Sequence, residues 1–161
     1  MVIYDLTFYF AHKYLMKKDR TIDQMIQAAR SGKQNFVEGM ADGVTSSEMQ
    51  IKLLNVGKSS LQELREDYED YLRTRSLTIW TESHPRYAKM LEYCKAHNDL
   101  GDFQLYFDKW NDEELANVAL SLIHQTDRML QRFLQTLEKQ FIENGGIREA
   151  MSKARKSQMN K

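Results

Sequence analysis

The chain has 161 residues, enough for one domain with its own core, and its single proline and seven glycines leave few helix breakers. One cysteine excludes an intramolecular disulfide framework, and no apolar run approaches the ~20 residues that a membrane helix needs. The formal charge is zero but unevenly spread: 8 Lys/Arg against 6 Asp/Glu in residues 1–58, 7 against 13 in 59–117, and 8 against 4 in 118–161. A neutral total weighs against an obligate nucleic-acid binder, whereas the uneven spread leaves room for a basic patch or for charge-complementary subunits.

The first helix is expected from about Tyr4 to Lys18, with Leu6, Tyr9, Phe10, Tyr14 and Leu15 inward and the cluster Lys17-Lys18-Asp19-Arg20 ending it. Its apolar start lacks a basic n-region and a small-residue cleavage site, so it does not read as a signal peptide, and the expected location is cytoplasmic. The second helix is expected from about Thr21 to Ala41, capped by Asp19 or Thr21, with Ile22, Met25, Ile26, Ala29, Phe36, Val37 and Met40 down one side. Ala28, Ala29 and Gly32 mark a close helix crossing, since a mid-helix glycine costs about 1 kcal/mol against alanine. Asp42-Gly43 reads as a stop, and Thr45 with Glu48 has capping-box spacing for a third helix to about Arg73. Its stripe is Ile51, Leu54, Leu61, Leu64, Tyr68 and Tyr71, with small residues Gly57, Ser59 and Ser60 inside it and an acidic run from Glu63 to Asp70, read as a solvated or intersubunit face.

Residues 75–111 break the rhythm and read as an insertion. Pro85 suits a first helical position ahead of Tyr87, Met90, Leu91 and Cys94; Asn98 to Asp102 reads as a loop; Phe103 to Trp110 is aromatic. The last helix is expected from about Asp112 to Glu143, with two adjacent apolar rows, and Gly145-Gly146 ends it. The expected fold is therefore all-α: an antiparallel four-helix bundle over residues 1–147, with a short helical insertion before its last long helix and a basic polar tail over 148–161.

Ser31, Asn35 and Glu38 share one face of the second helix, with Arg30 beside them, and Asp127 interrupts an apolar row of the last helix. The reading is a structural polar network of Arg30, Ser31, Asn35, Glu38 and Asp127, with Arg30 as the candidate partner of Asp127. Two basic groups are candidate phosphate contacts: Lys13, Lys17, Lys18 and Arg20 at the first turn, and Arg148, Lys153, Arg155 and Lys156 in the tail. Cys94 and His97 have C-x-x-H spacing, but one cysteine and four scattered histidines give no zinc frame, and no phosphate-loop, dinucleotide or nucleophile-elbow motif occurs. No metal, cofactor or catalytic residue is expected.

Arg30-Ser31, then Asn35-Phe36-Val37-Glu38-Gly39, then Ser60-Leu61-Gln62-Glu63-Leu64 resemble the four-helix-bundle proteins encoded by intervening sequences of bacterial large-subunit ribosomal RNA genes. Phe36 stands where that pattern more usually has an aliphatic residue. The strings DRTIDQMIQAARSGKQNFVEG and LQELREDYEDYLR, with Leu137, Glu138, Phe141, Gly145, Gly146, Glu149 and Arg155, are similar to its suffix-domain subgroup. The resemblance implies a relationship to the accessory variability determinant of diversity-generating retroelements, a homopentamer that binds nucleic acid and a reverse transcriptase. The expected protein is a non-enzymatic, homo-oligomeric accessory protein, pentameric by that resemblance, whose partner is RNA, DNA or a nucleic-acid enzyme. The alternative is a protein-only scaffold whose contact surface is the aromatic insertion: Trp80, Tyr87, Tyr93, Phe103, Tyr106, Phe107 and Trp110.

Overall fold

The computed structural model describes residues 2–41, 46–144 and 155. They form α1 (Val2–Tyr14), α2 (Thr21–Gly39), α3 (Ser47–Thr74), α4 (Tyr87–Ala96), α5 (Leu100–Gln104) and α6 (Asp112–Asn144), with no strand among the described residues. The expected stops at Asp42-Gly43 and Gly145-Gly146, the expected cap Thr45, and the tail apart from Arg155 lie outside the described residues.

In α1 the buried side chains are Leu6, Thr7, Phe10 and Ala11, a pair of adjacent rows at helical spacing. Burying Phe10 completely is worth roughly 2–3 kcal/mol, and its ring meets Tyr68 and Tyr71 of α3 at 5.0 and 4.7 Å. Thr7 is satisfied in the core by accepting a hydrogen bond from the Tyr68 hydroxyl at 3.1 Å. The helix does not continue to Lys18. Lys17 and Lys18 bring nothing apolar to bury, and the chain turns instead, with the Asp19 N–H bonded to the Met16 carbonyl at 2.7 Å. Asp19 then accepts the Thr21 N–H at 2.9 Å, and hydrogen bonds from the Thr21 side chain and backbone hold its carboxyl below the ordinary range.

Ser46, one residue after the expected Thr45, caps α3: its hydroxyl accepts the Met49 N–H at 3.1 Å. Gly32 and Gly57 face each other where α2 crosses α3, a Cβ at Gly32 lying 3.5 Å from the Gly57 carbonyl oxygen. Gly57 is the tighter of the two positions: a Cβ there would come 2.4 Å from the Phe36 ring, whereas one at Gly32 would meet ordinary contacts. At its other end α3 closes with Ser76 at φ 57°, while the Leu77 N–H reaches the Leu72 carbonyl at 2.9 Å and the Ser76 N–H the Arg73 carbonyl at 3.2 Å. This is the Schellman arrangement, with serine in the left-handed position that glycine usually fills.

Asn111 and Glu114 start α6 reciprocally: the Glu114 N–H donates to Asn111 Oδ1 and the Asn111 N–H to Glu114 Oε2, both at 2.8 Å. Residues 98–102, expected as a loop, contain the start of α5, because Asp99 Oδ1 accepts the Gly101 N–H at 2.8 Å. Pro85 lies in a turn two residues ahead of α4, not at its first position.

α1 packs on α2 and α6, α2 on α3, and α3 on α6, which closes a cycle of four helices; α4 leans on α6, and α5 on α1. One large apolar cluster includes Leu6, Phe10, Met25, Leu61, Leu64, Tyr68, Leu115, Ala119 and Ile123. A second, smaller cluster holds Leu54, Leu130 and Leu134 with Phe36, Ile51, Phe133 and Leu137, and no residue of α1. Val37 and Met40, expected on the apolar side of α2, are exposed.

Candidate partner-binding cleft

The extended strap after α3 is fastened to α6 by two side chains. Asn117, only 2% exposed, accepts the Trp80 N–H at 2.7 Å and donates to the Thr78 and Glu113 carbonyls at 2.9 and 2.8 Å. Glu113 accepts the Trp80 indole N–H at 2.8 Å and the Thr78 N–H at 3.1 Å. These bonds set Trp80 as one wall of a cleft. Arg86 lies over the Trp80 ring at 5.1 Å and is ion-paired to Glu114.

The facing wall is aromatic. Tyr106 and Trp110 stack at 4.9 Å, and Tyr93 of α4 stands edge-on to them at 5.7 and 6.3 Å. Tyr93 is held by its hydroxyl, which donates to the Asp102 carbonyl at 2.9 Å, and by His97 stacked behind it at 4.0 Å. Trp110 is held through its carbonyl, which accepts the Tyr14 hydroxyl at 3.0 Å. Partial burial, first of all, pushes the Tyr93 phenol above its ordinary pKa, so it stays neutral. Met90 and Val118 form the floor, and Lys89 lines the rim. The enclosed space is about 310 Å³, suited to one or two apolar or aromatic side chains.

The seven aromatics of the insertion thus divide. Trp80, Phe103 and Phe107 are buried, whereas Tyr93, Tyr106 and Trp110 are half-buried and open to the cleft. Tyr87 lines a separate hollow with Ile79 and Leu120. Asn117 and Glu113 escaped the sequence reading, because an asparagine between Ala116 and Val118 gives no sign of which strand of chain it will hold.

The candidate polar network is smaller than expected. Ser31 and Ser60 join α2 to α3 through their hydroxyls at 2.9 Å; Asn35 Nδ2 donates to the Ser31 carbonyl at 2.9 Å and reaches its hydroxyl at 3.4 Å; Ser60 donates to the Val56 carbonyl at 3.2 Å. Arg30 and Glu38 are exposed and join none of these bonds. Asp127 pairs with Lys58 at 3.9 Å, not with Arg30, which lies on the solvent side of α2. Beside Ser31 and Ser60 opens a groove of about 660 Å³ lined by Asp23, Glu63, Glu66, Asp67 and Asp70. Desolvation, with repulsion from Asp70, Glu63 and Glu66, pushes Asp67 up to about 6.

Of the basic candidates, Lys13 is engaged within the chain. It donates to the Tyr9 hydroxyl at 2.6 Å and to the Phe107 carbonyl at 3.2 Å, and lies 3.6 Å from Asp108. Lys17, Lys18, Arg20 and Arg155 are exposed; Arg148, Lys153 and Lys156 lie outside the described residues. The first turn sits near the start of α6, through the bond of Tyr14 to the Trp110 carbonyl. Cys94 is buried, and burial pushes its thiol up to about 11, which makes it a packing residue rather than a nucleophile.

Fold and site together define an all-helical protein with an aromatic cleft between a fastened strap and its last helix. Comparison of the chain with protein-family models, with curated proteins and with solved structures gives no match.

Proposed function

We propose that this chain is a non-enzymatic accessory protein in which α1, α2, α3 and α6 form an antiparallel four-helix bundle, and that the aromatic cleft before the last helix receives a protein partner. The cleft carries the reading. Tyr106 is half-buried, lines the open space, and is not among the residues packed on the buried core. A large amphipathic ring that is braced by Trp110 and Tyr93 yet half open to the cleft is what interface hot spots are made of. Lys89 at the rim and Lys109, 5.3 Å over the Tyr106 ring, add cations around an apolar centre. The resemblance to the intervening-sequence bundle family supports a homo-oligomer, a pentamer in its relatives, and a partner among nucleic-acid enzymes such as a reverse transcriptase.

A second reading rests on Lys17, Lys18 and Arg20, three exposed cations at one turn. Repeated around a ring they would contact phosphates of RNA or DNA without reading bases, and multivalency would raise a weak affinity per chain.

Tagged wild type, Tyr106→Ala and the triple variant Lys17→Glu, Lys18→Glu, Arg20→Glu, recovered from the cells of origin, separate the two. The expected result is at least tenfold loss of one co-purifying protein from Tyr106→Ala and its retention by the triple variant. Retention by Tyr106→Ala together with loss of bound nucleic acid from the triple variant overturns the first reading and favours the second. Light scattering tests assembly: a mass five times that of one chain is expected, and a clean monomer at micromolar concentration removes the pentamer.

A further inference from the structure

The first turn of α1 and the end of α4 border, together with α2 and α6, a cavity of about 250 Å³. Lys33 and Phe36 on α2, and Leu122, Gln125, Thr126 and Met129 on α6, stand at helical spacing, so each of these helices turns one face to the space. Ile3, Phe36, Leu61, Leu122 and Met129 make most of the wall apolar, and among the described residues no carboxylate lines it. Two donors there lack acceptors. Lys33 is half-buried, its Nζ lies 5.0 Å over the Tyr4 ring, and it is ion-paired to no carboxylate among the described residues. The Gln125 amide nitrogen is buried without a hydrogen-bond partner. Thr126, by contrast, is satisfied, since its hydroxyl donates to the Leu122 carbonyl at 2.8 Å. An amide donor buried without an acceptor is costly, and an ammonium in a recess of low dielectric attracts an anion more strongly than one in open water. Rotation about the last side-chain bond of Gln125 turns its N–H toward the cavity and breaks no hydrogen bond of that nitrogen.

We infer that this cavity binds a small monocarboxylate with an apolar body, a medium-chain fatty acid being the simplest case. The apolar body lies against Ile3, Phe36, Leu122 and Met129, and the carboxylate accepts from Lys33 and from the turned Gln125 amide. The volume sets the size. It falls just under the ~300–1,000 Å³ of clefts that take drug-sized ligands, which leaves room for about ten non-hydrogen atoms, as in octanoate. The lining sets the charge. Lys33 repels an amine, no carboxylate is there to receive one, and a neutral hydroxyl forgoes the stronger bond that an ionised acceptor makes with an ammonium. A ligand so placed touches α1, α2 and α6 at once, so its binding holds this end of the fold together by mass action. The cavity shares no lining residue with the aromatic cleft, and the inference is independent of what that cleft receives.

Isothermal titration of the full chain at neutral pH with octanoate, octanol and octylammonium tests this. Octanoate is expected to bind at least about tenfold more tightly than octanol, with octylammonium the weakest of the three. Lys33→Met keeps the apolar stem and removes the charge. It is expected to weaken octanoate at least about tenfold and to leave octanol within about twofold, with an unchanged circular dichroism spectrum. Gln125→Leu, which removes the orphaned donor, is expected to weaken octanoate about fivefold while the protein stays folded. Lys89→Met, at the rim of the aromatic cleft, is the control and is expected to change neither ligand. Equal affinities for octanoate and octanol would mean an apolar void that does not recognise the head group and would overturn the inference. Absence of binding by octanoate, or its loss in Lys89→Met with retention in Lys33→Met, would overturn it as well.

Discussion

Asn117 is the single side chain on which the cleft depends most. It satisfies a buried N–H and two carbonyls across the gap between strap and helix. Asn117→Ala leaves the Trp80 N–H without its partner and is expected to cost about 3 kcal/mol in urea unfolding, with a red shift of tryptophan emission as Trp80 loosens. Ser76 offers the opposite case. A serine at φ 57° carries strain that glycine does not, so Ser76→Gly is expected to gain about 1 kcal/mol in the same measurement. Neither residue stands out in the sequence. Asn117 acts on a segment 37 positions away, and Ser76 takes its conformation from the end of α3, which single-residue preferences do not reveal.

At the scale of elements, α3 and α6 were legible within a residue or two, because long apolar rows at 3.6-residue spacing have few other solutions. Residues 75–111 were not, because their burial is decided by contacts far along the chain, such as the stacking of Phe107 on Tyr9 at 4.7 Å. The polar row of α2 was half legible: spacing puts Ser31, Asn35 and Glu38 on one face, but only the packing of α3 shows that Ser31 and Asn35 are covered while Glu38 is not. The same α2–α3 contact creates the acidic groove. Asp67 ionises at about 6 in the folded chain against an ordinary 3.8, so the proton is held more tightly when folded. Its stabilising contribution is full below about pH 3.8 and is lost as pH rises through about 6. Asp67→Asn is therefore expected to raise stability at pH 7 by about 1 kcal/mol, solvent screening of this half-buried site included, and to give no gain below pH 4. Thermal unfolding at the two pH values checks it.

For the whole molecule, Lys13 is drawn into the fold by the Tyr9 hydroxyl and the Phe107 carbonyl, which leaves Lys17, Lys18 and Arg20 as the exposed cations of the first turn. Four aromatics of the insertion, Trp80, Tyr93, Tyr106 and Trp110, instead line one open cleft. On the function proposed above, the question is what enters that cleft. The most direct measurement places a photo-crosslinking amino acid at Tyr106 in the cells of origin, with Gln131, exposed on α6, as the control position. A protein-binding cleft predicts one discrete protein adduct at Tyr106, absent at Gln131 and absent when Trp110→Ala is added. The same adducts at both positions, or adducts to nucleic acid alone, would contradict it.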